Sequence, residues 1–334
     1  MSAIAICVNP MSGRDVRRIA ARATNMTHEA KRDIVARIAA GADSVGVNEI
    51  YIVDEPFRIA SMALEWMPLK AKVVSLGVEL RHDASDTERA VQAFVKEGIA
   101  VVVSLGGDGT NRIIARSAPD LDLIALSTGT NNVFPSMVEP TTAGMVAGLA
   151  AMQRFPDDSA FGIRTRAKVL HAAFSDGDSD IALIDAVQLR DDYVGNLLPY
   201  DEAKIMRILL TRALPDTVGM SPLGGLISVV EETDDCGLLV EIGDNKESDT
   251  YIKAPLSPGF FKEVAISRSQ RIALGEKVTF EGEGILALDG DREHRLANKR
   301  SVSMSIRRDG PWVYDVGAAM RYAVAEGMMR RPSQ

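Results

Sequence analysis

Strand-like and helix-like segments alternate along the first 155 residues, and this alternation constrains the fold more than any other feature of the sequence. Short runs of β-branched and other apolar residues are followed by segments whose apolar residues recur at helical spacing. Strands that are joined through helices pair in parallel, because a tight turn cannot connect two parallel neighbours. We therefore predict a mainly parallel sheet with strands over residues 4–8, 49–54, 72–80, 99–105 and 121–127.

The first predicted helix covers residues 28–40, where apolar residues share one face. Gly41 follows this pattern directly, and glycine is common just past the end of a helix. We therefore expect this helix to stop at Gly41.

The pattern changes near residue 155. From there to about residue 316, short strand-like runs separated by polar turns predominate, which indicates antiparallel β-structure. One segment, residues 200–213, has helical spacing and interrupts these strands, and residues 316–329 predict a closing helix.

The predicted fold class is α/β plus all-β. An α/β domain with a mainly parallel sheet covers residues 1–155, and a β-rich, sandwich-like domain covers residues 156–316. The C-terminal helix and tail cover residues 317–334.

The bulk composition limits the partners of this chain. A net charge of −8 argues against a protein that coats nucleic acid or an anionic membrane, since both need clustered Lys and Arg. The two cysteines, Cys7 and Cys236, form no CxxC pattern, so neither a disulfide framework nor a structural zinc site is expected. The N-terminus lacks the basic start of a signal peptide, and no apolar run approaches the roughly 18 residues of a membrane span. We expect a cytoplasmic protein that binds no nucleic acid and forms no stable membrane association.

Three glycines surround one acid directly after the strand predicted over residues 99–105. Ligands of an open parallel sheet bind at the carboxyl ends of its strands, and Gly106, Gly107 and Gly109 leave room there for backbone N–H groups to reach a phosphate. Asp108, as a carboxylate, repels phosphate. It fits such a site if it accepts the proton of a hydroxyl that attacks the phosphate, or if it contacts a metal ion there. An ordinary glycine-rich turn is the alternative.

Two other predicted strands end in loops of similar character. The segment NPMSG at residues 9–13 follows the first strand, and STGTNN at residues 127–132 follows another. Because the carboxyl ends of parallel strands share one edge, the three loops together predict a cradle for nucleotide phosphates. The sequence contains no P-loop motif, and the GxGxxG pattern fails because Arg112 stands where its third glycine would be.

Three acids in the β-rich part are candidates for ligand contact. Asp185 interrupts an otherwise apolar face of a strand predicted over residues 179–189, and a buried carboxylate is costly without hydrogen bonds or water. It is either a core acid satisfied by backbone donors or a ligand contact. Asp289 and Asp291 flank a glycine in a sequence typical of a hairpin turn. The histidines show no ligand spacing, so no metal ligands are assigned.

The motif LGGDGT after a β-branched strand, with NPMSG upstream and LDGD far downstream, resembles the superfamily of NAD kinases, diacylglycerol kinases and sphingosine kinases. More closely, the chain resembles the NAD-kinase-like proteins of the acetoin-catabolism X type. The segments that carry this resemblance occur in order over nearly the whole chain: NPMSGRDVRRIAARA, SLGGDGTNR, LSTGTNNVFP, ALIDAVQLRDDYVG and VGMSPLGGL.

The resemblance implies a nucleotide cleft between the α/β domain and the β-rich domain, the second of which would supply the acceptor side. Asp108 matches the acid of the GGDGT motif and would be the base for the acceptor hydroxyl. Asp185 falls at the acid that NAD kinases use on the dinucleotide, and Asp291 matches the acid or amide after the late Asp-Gly pair. The nucleotide-binding residues implied in this way are Asn9, Ser12, Gly13, Gly106, Gly107, Gly109, Thr110, Thr130, Asn131, Asn132, Asp185 and Asp291.

The resemblance also implies a reaction, the transfer of the γ-phosphoryl group of ATP to the 2′-hydroxyl of NAD or NADH. Mg²⁺ would arrive mainly on the triphosphate, since the sequence contains no dedicated carboxylate cage. A homodimer or larger oligomer is what the family resemblance suggests.

Two departures from the NAD kinases lie on the acceptor side. Ile184 stands where they have Asn before the acid, and VGMSPLGG at residues 218–225 replaces their Gly-Ser-Thr-Ala-Tyr segment. Two alternatives therefore stay open. The protein is a kinase for another alcohol, such as a lipid, to which the GTNNVF segment is closer, or a nucleotide-binding regulator without catalysis. The intact Asp108 argues against the regulator.

Overall fold

The computed structural model describes residues 2–14, 23–130, 132–156, 161–198, 200–243, 250–297 and 299–330. Its strands, in chain order, are β1 (Ala3–Val8), β2 (Glu49–Val53), β3 (Lys72–Leu76), β4 (Val101–Gly106), β5 (Asp122–Ser127), β6 (Arg164–Arg166), β7 (Val169–Phe174), β8 (Ser179–Ala182), β9 (Asp185–Leu189), β10 (Ile205–Leu210), β11 (Cys236–Ile242), β12 (Thr250–Ser257), β13 (Phe260–Ala273), β14 (Val278–Phe280), β15 (Gly284–Leu288), β16 (Asp291–Leu296), β17 (Val302–Arg307) and β18 (Trp312–Tyr314). Its α-helices are α1 (His28–Val45), α2 (Ile59–Leu64), α3 (Ser85–Lys96), α4 (Asp108–Ser117), α5 (Pro140–Ala151), α6 (Ser221–Gly225) and α7 (Val316–Ala325). None of these helices in the described ranges is both long and apolar enough to cross a membrane.

The first sheet has the strand order β3-β2-β1-β4-β5-β18-β6. All of its strands run parallel except β6, which is antiparallel to β18. Ile4 of β1 pairs with Ile50 of β2 on one side and with Val101 of β4 on the other, which fixes the register of the central strands. The prediction of an α/β part with a mainly parallel sheet is confirmed.

Helices cover both faces of this sheet, and its central strands are therefore nearly continuous apolar runs. On one face, Ile4 and Ile6 pack in a core shared with α1, α5 and α7. On the other face, Ala5 packs in a second core with Phe94 of α3 and Ile114 of α4.

Two antiparallel sheets form the β-rich part. One has the order β12-β13-β11-β10-β9-β15-β16, and the other has the order β14-β17-β7-β8. Leu209 and Leu286 of the first share a buried core with Leu170 and Met304 of the second, so the two sheets pack face to face. The predicted sandwich-like β part and closing helix are confirmed.

α1 does not stop at Gly41. It continues past this residue and ends at Gly46, whose φ of 98° is the left-handed conformation that favours glycine at a helix end. Gly41 instead faces α5, where a Cβ atom would overlap the carbonyl oxygen of Thr141. Gly144 of α5 has the same relation to the carbonyl oxygen of Ile38. These two glycines let the helices approach closely, which is why Gly41 is inside the helix.

The helix predicted over residues 200–213 is wrong. A short 3₁₀ turn is followed by β10, which lies between β9 and β11 in the middle of its sheet. Ile208 faces one core and Leu209 faces another, so the strand lacks the polar–apolar alternation of a half-buried strand. A register shift between Ile205 and Arg207 disturbs the period further. Apolar spacing alone does not distinguish such a strand from a buried helix.

The single strand predicted over residues 179–189 is two strands in different sheets. β8 belongs to the smaller sheet and β9 to the larger one, and the chain crosses between them at Leu183 and Ile184. Asp185 is therefore the first residue of β9, directly after the crossing.

Candidate active site

The three loops predicted to form a phosphate cradle follow β1, β4 and β5, which are neighbours in the first sheet. Hydrogen bonds join the loops directly. Asn9 Nδ2 donates to Thr110 Oγ1 over 2.8 Å, and the hydroxyl oxygens of Ser12 and Thr128 are 2.6 Å apart. The backbone N–H of Thr128 donates to the carbonyl oxygen of Gly106 over 3.1 Å. The three loops therefore form one assembly at the carboxyl edge of the sheet.

The glycines of these loops are needed for the packing of one loop against another. A Cβ atom on Gly107 would lie 2.9 Å from Asn132 Oδ1, and one on Gly129 would overlap the same atom. Asn132 lies between the two loops, and its side-chain amide donates to Ser127 Oγ over 2.6 Å. The missing Cβ atoms thus make room for Asn132 before any ligand is considered.

Asp108 is the first residue of α4, and its side chain is buried. Its Oδ1 accepts the backbone N–H of Phe134 over 2.9 Å and that of Val133 over 3.1 Å. The pKa of Asp108 is raised to about 7, mainly by burial and secondly by the negative charge of Asp289. A carboxyl group that titrates near neutral pH is suited to accept a proton from a substrate.

Asp289 is a site residue that the sequence suggested only as a hairpin turn. It does form the turn between β15 and β16, with a φ of 48°, but its carboxylate is buried and lines the same cavity as Asp108. It accepts the backbone N–H groups of Leu183 and Ile184 over 2.7 Å and that of Asp185 over 3.1 Å. Burial raises the pKa of Asp289, and the guanidinium of Arg112 opposes this shift. The acid therefore fixes the chain crossing between the two β-sheets.

Arg112 connects the glycine loop to this hairpin. From the sequence alone it had no assigned role and was noted only because it replaces the third glycine of a GxGxxG pattern. Its buried guanidinium donates to Asp291 Oδ2 over 3.2 Å, to Glu293 Oε2 over 3.1 Å and to the carbonyl oxygen of Leu288 over 3.3 Å. A Cβ atom on Gly109 would lie 3.1 Å from Asp291 Oδ2, so this carboxylate lies directly over the glycine loop. Arg112 thereby fixes Asp291 at the cradle.

Most of the residues predicted for the nucleotide, and the predicted base Asp108, line one cavity. Those that line it are Asn9, Ser12, Gly13, Gly107, Asp108, Gly109, Thr110, Thr130, Asn132 and Asp291. Gly106 ends β4 behind the loop and is not part of the lining. Asp185 is buried behind Asp289 and is also outside the lining, so its contact with a nucleotide stays a prediction. Asn131 lies outside the described residues.

The cavity has a volume of about 510 Å³, which is within the range of small-molecule sites. Beyond the three loops its wall combines apolar side chains with polar and acidic ones. The apolar members include Val53, Val78, Leu80 and Ala90, and the polar members are Glu55, His82, Asp83, Asp86 and Thr87. Glu55 at this wall accepts backbone N–H groups of the residues that follow it, and burial raises its pKa. Sequence reasoning missed this wall because its residues have the spacing of ordinary core positions.

One group of side chains in the described part of the chain is close enough to share a cation, namely Asp180, Glu293 and His294. Arg112 lies 3.1 Å from Glu293 Oε2 and 3.8 Å from Asp180 Oδ2, and His294 Nε2 lies 3.0 Å from that same Asp180 oxygen. The guanidinium already supplies the positive charge that an ion would bring. These residues therefore do not fit a resident metal ion, and no step below is assigned to one.

Two family matches divide the chain. Residues 4–153 match the ATP-NAD kinase N-terminal domain, and residues 168–309 match the acetoin catabolism protein X C-terminal domain. A protein of Cupriavidus necator named acetoin catabolism protein X is 30% identical in an alignment 339 positions long, which covers 98% of this chain and 94% of that protein. The chain belongs to the acetoin catabolism protein X family. The resemblance predicted from the sequence is thereby confirmed.

Solved structures place this acetoin catabolism protein X family member among NAD-kinase-type folds. Yeast NADH kinase in complex with NADH has a TM-score of 0.54 and 12% identity, and the match covers 100% of this chain and 90% of that one. A diacylglycerol kinase from Bacillus anthracis str. Sterne aligns more weakly, with a TM-score of 0.44 and 12% identity over 94% of this chain and 97% of that one. At 12% identity, the likeness to yeast NADH kinase shows the fold alone.

Proposed function

We propose that this member of the acetoin catabolism protein X family is an ATP-dependent phosphotransferase whose acceptor is the 2′-hydroxyl of NAD or NADH. One observation carries the proposal. A buried carboxyl group, Asp108, whose pKa is raised to about 7, lines a cavity where three loops rich in glycine, hydroxyl and amide groups meet. The fold shared with yeast NADH kinase supports the choice of acceptor.

Asp108 acts as the general base. It accepts the proton of the acceptor hydroxyl as the hydroxyl oxygen attacks the γ-phosphorus of ATP. The new P–O bond forms while the bond from the γ-phosphorus to the bridging oxygen breaks, and ADP leaves. Because the transition state is loose, the protein mainly positions the reacting groups and stabilises their charge. The backbone N–H groups of Val133 and Phe134 keep the carboxylate in place during the transfer.

The three loops hold the ATP phosphates. Gly107, Gly109 and Thr110 lie on one side of the cavity, and Asn9, Ser12 and Gly13 lie beside them. Thr130 extends the set along the third loop. The apolar side chains of the wall beyond the loops suit the flat face of the adenine base, and the polar side chains beside them can bond its edge. Mg²⁺ comes with the triphosphate as part of the substrate.

The β-rich domain, residues 156–316, supplies the acceptor side. Asp185 and Asp291 orient the dinucleotide, and Asn131 and Asn132 contribute from the third loop. We further propose that the protein works in the cytoplasm as a homodimer or larger oligomer, in keeping with its family.

An apolar alcohol is the second candidate acceptor. Tyr193, Val194, Leu197 and Leu198 follow β9, and each is more than half exposed. Of these four, Leu197 lines the cavity, so an exposed apolar segment of the chain adjoins it. An apolar surface beside the cavity suits the alkyl chain of a lipid alcohol better than it suits a charged dinucleotide.

The test is an ATP-consumption assay with NAD, NADH and a panel of diacylglycerols as acceptors, coupled to detection of NADP(H). Formation of NADP(H) supports the first acceptor, and a phosphorylated lipid supports the second. Tight ATP binding with no product from any acceptor contradicts both and favours a nucleotide-binding regulator.

A further inference from the structure

Lys31 is a fully buried lysine directly behind the first loop of the cradle. It is the fourth residue of α1, and its exposed fraction is 0%. Its ammonium group donates to the backbone carbonyl oxygens of Asn9, Pro10 and Ser12, each over 2.8 Å. An ammonium group has three N–H donors, and these three carbonyls match them. A buried charge is tolerated when it is hydrogen-bonded in this way.

These bonds determine which groups of the loop face the cavity. Carbonyl oxygens carry partial negative charge and repel phosphate, and Lys31 draws three of them toward itself, away from the cavity that the loop lines. In a trans peptide the N–H points opposite to the C=O, so the N–H groups of Met11 and Gly13 are turned away from Lys31. The Met11 N–H donates to Asn9 Oδ1 over 2.9 Å and so stabilises the loop, which leaves the Gly13 N–H as the one that this geometry offers to a phosphate.

The loop held by Lys31 also sets the position of the other two loops. The side chain of Asn9 donates to Thr110 beside the glycines, and the hydroxyl of Ser12 bonds that of Thr128 in the third loop. Displacement of residues 9–12 would therefore move the whole cradle.

We infer that Lys31 is a positioning residue for the nucleotide phosphates, which orders residues 9–13 and places a fixed positive charge behind them. This inference rests on the proposed function, since it assumes that the cradle binds ATP. The charge favours phosphate without contact, because a cation in a poorly solvated site acts over a longer range than one in water.

The chain contains a matched control for this role. Lys168 is also fully buried, and its ammonium group donates to the carbonyl oxygens of Glu231, Asp234 and Cys236 over 2.8, 3.2 and 2.9 Å. Lys168 makes the same kind of contact as Lys31, but its three carbonyl partners lie outside the cavity lining, whereas those of Lys31 belong to it. Removal of either ammonium group should lower the stability of the fold by a similar amount, whereas only the removal of the Lys31 ammonium group should affect the cradle.

The experiment compares wild type, Lys31→Met and Lys168→Met by ATP titration calorimetry and by amide hydrogen exchange of residues 9–13 without nucleotide. We expect Lys31→Met to lose about tenfold or more in ATP affinity, and to exchange faster at residues 9–13, because a charged hydrogen-bonded group is lost. Lys168→Met should change neither quantity by more than about twofold, which is within the usual context dependence of a distant site. Lys31→Gln keeps amide donors without the charge, and its affinity should be intermediate; it also serves if Lys31→Met does not fold.

Two failures are distinguishable in this design. If wild type binds no ATP, the proposed function is wrong. If wild type binds ATP and the Lys31 variants bind it as well as Lys168→Met does, with unchanged exchange at residues 9–13, the inference about Lys31 is wrong and the proposed function stands.

Discussion

Two buried carboxyl groups, Asp108 and Asp289, line the same cavity, and backbone N–H groups hold each of them in place. Burial raises the pKa of both, and the charge of Asp289 adds to the shift at Asp108. The second acid therefore adjusts the first, and it does so from a hairpin of the β-rich part. This arrangement brings the pKa of the base close to neutral pH.

The pH dependence of phosphoryl transfer tests this arrangement. A base must be ionised to act, and the pKa of Asp108 is raised to about 7, so kcat/KM should fall as the pH drops below about 7. Ionisation of Asp289 opposes ionisation of Asp108, and Asp289→Asn leaves Asp108 as the one acid of this pair, so the acidic limb of the profile should move to lower pH. The measurement is kcat/KM against pH for both proteins.

Asp120→Asn is the matched control, because Asp120 is an exposed acid outside the cavity lining. Its acidic limb should coincide with that of wild type. An Asp289→Asn profile that also coincides with wild type would show that Asp289 does not act on the base.

The two acids differ in how far the sequence could predict them. Asp108 was predicted because its glycines are adjacent in sequence and belong to a recognisable motif. Asp289 accepts N–H groups from residues 104 to 106 positions away, and no local pattern records that contact. Its Asp-Gly turn is equally common where no site exists.

At the scale of the elements, α1 and α5 pack against each other on one face of the first sheet. α1 also carries Lys31, which bonds the first loop of the cradle. Its closeness depends on Gly41 and Gly144, where added Cβ atoms would overlap carbonyl oxygens of the opposite helix. A backbone carbonyl cannot rotate away as a side chain can, so each substitution must push the helices apart.

Gly41→Ala and Gly144→Ala should each lower the free energy of unfolding by about 1–3 kcal/mol, although alanine is the better helix former. Chemical denaturation of each variant measures this. Gly317→Ala in α7 is the control, since the nearest atoms to its added Cβ belong to the side chains of Arg321 and Asp315.

The control should stay within about 1 kcal/mol of wild type. If the variants in α1 and α5 are as stable as the control, the close helix contact is not present in solution.

The elements of the first sheet could be predicted because parallel strands and their helices have distinct apolar periods. Two predictions were wrong, the helix end at Gly41 and the helix over residues 200–213, and they share one physical cause. In each case the structure depends on contacts with residues distant in the sequence, which the local pattern does not contain. Gly41 has the sequence context of a helix end and serves a close contact instead. β10 is apolar on both faces because it lies between two cores, and its spacing therefore resembled a helix.

At the scale of the whole molecule, the site is assembled from the loops of the parallel sheet and from one hairpin of the β-rich part. Arg112 makes the link, and its partners Asp291 and Glu293 lie 179 and 181 positions away. The sequence predicted the shared edge of the loops from the rules of parallel sheets. The place of the hairpin came only from family resemblance, because strand order in an antiparallel sandwich leaves no local signal.

Arg112→Met should lower the free energy of unfolding by about 3 kcal/mol, because it leaves the buried Asp180 and the partly exposed Asp291 and Glu293 without their shared cation. Arg116→Met removes a 44% exposed arginine that pairs with the same Asp180, and it should cost less than about 1 kcal/mol. Denaturation of both variants in guanidinium chloride measures the two free energies of unfolding. Equal losses would mean that Arg112 does not hold the two parts of the site together.

The central claim is that Asp108 is the base of an ATP-dependent phosphoryl transfer. The most direct measurement is the rate of NADP(H) formation by wild type, Asp108→Asn and Asp120→Asn, with ATP binding measured on the same samples. We predict that Asp108→Asn binds ATP and loses about 10²–10⁴-fold in turnover, whereas Asp120→Asn matches wild type in both. Normal turnover by Asp108→Asn, or no phosphoryl transfer by wild type to any acceptor, would contradict the account.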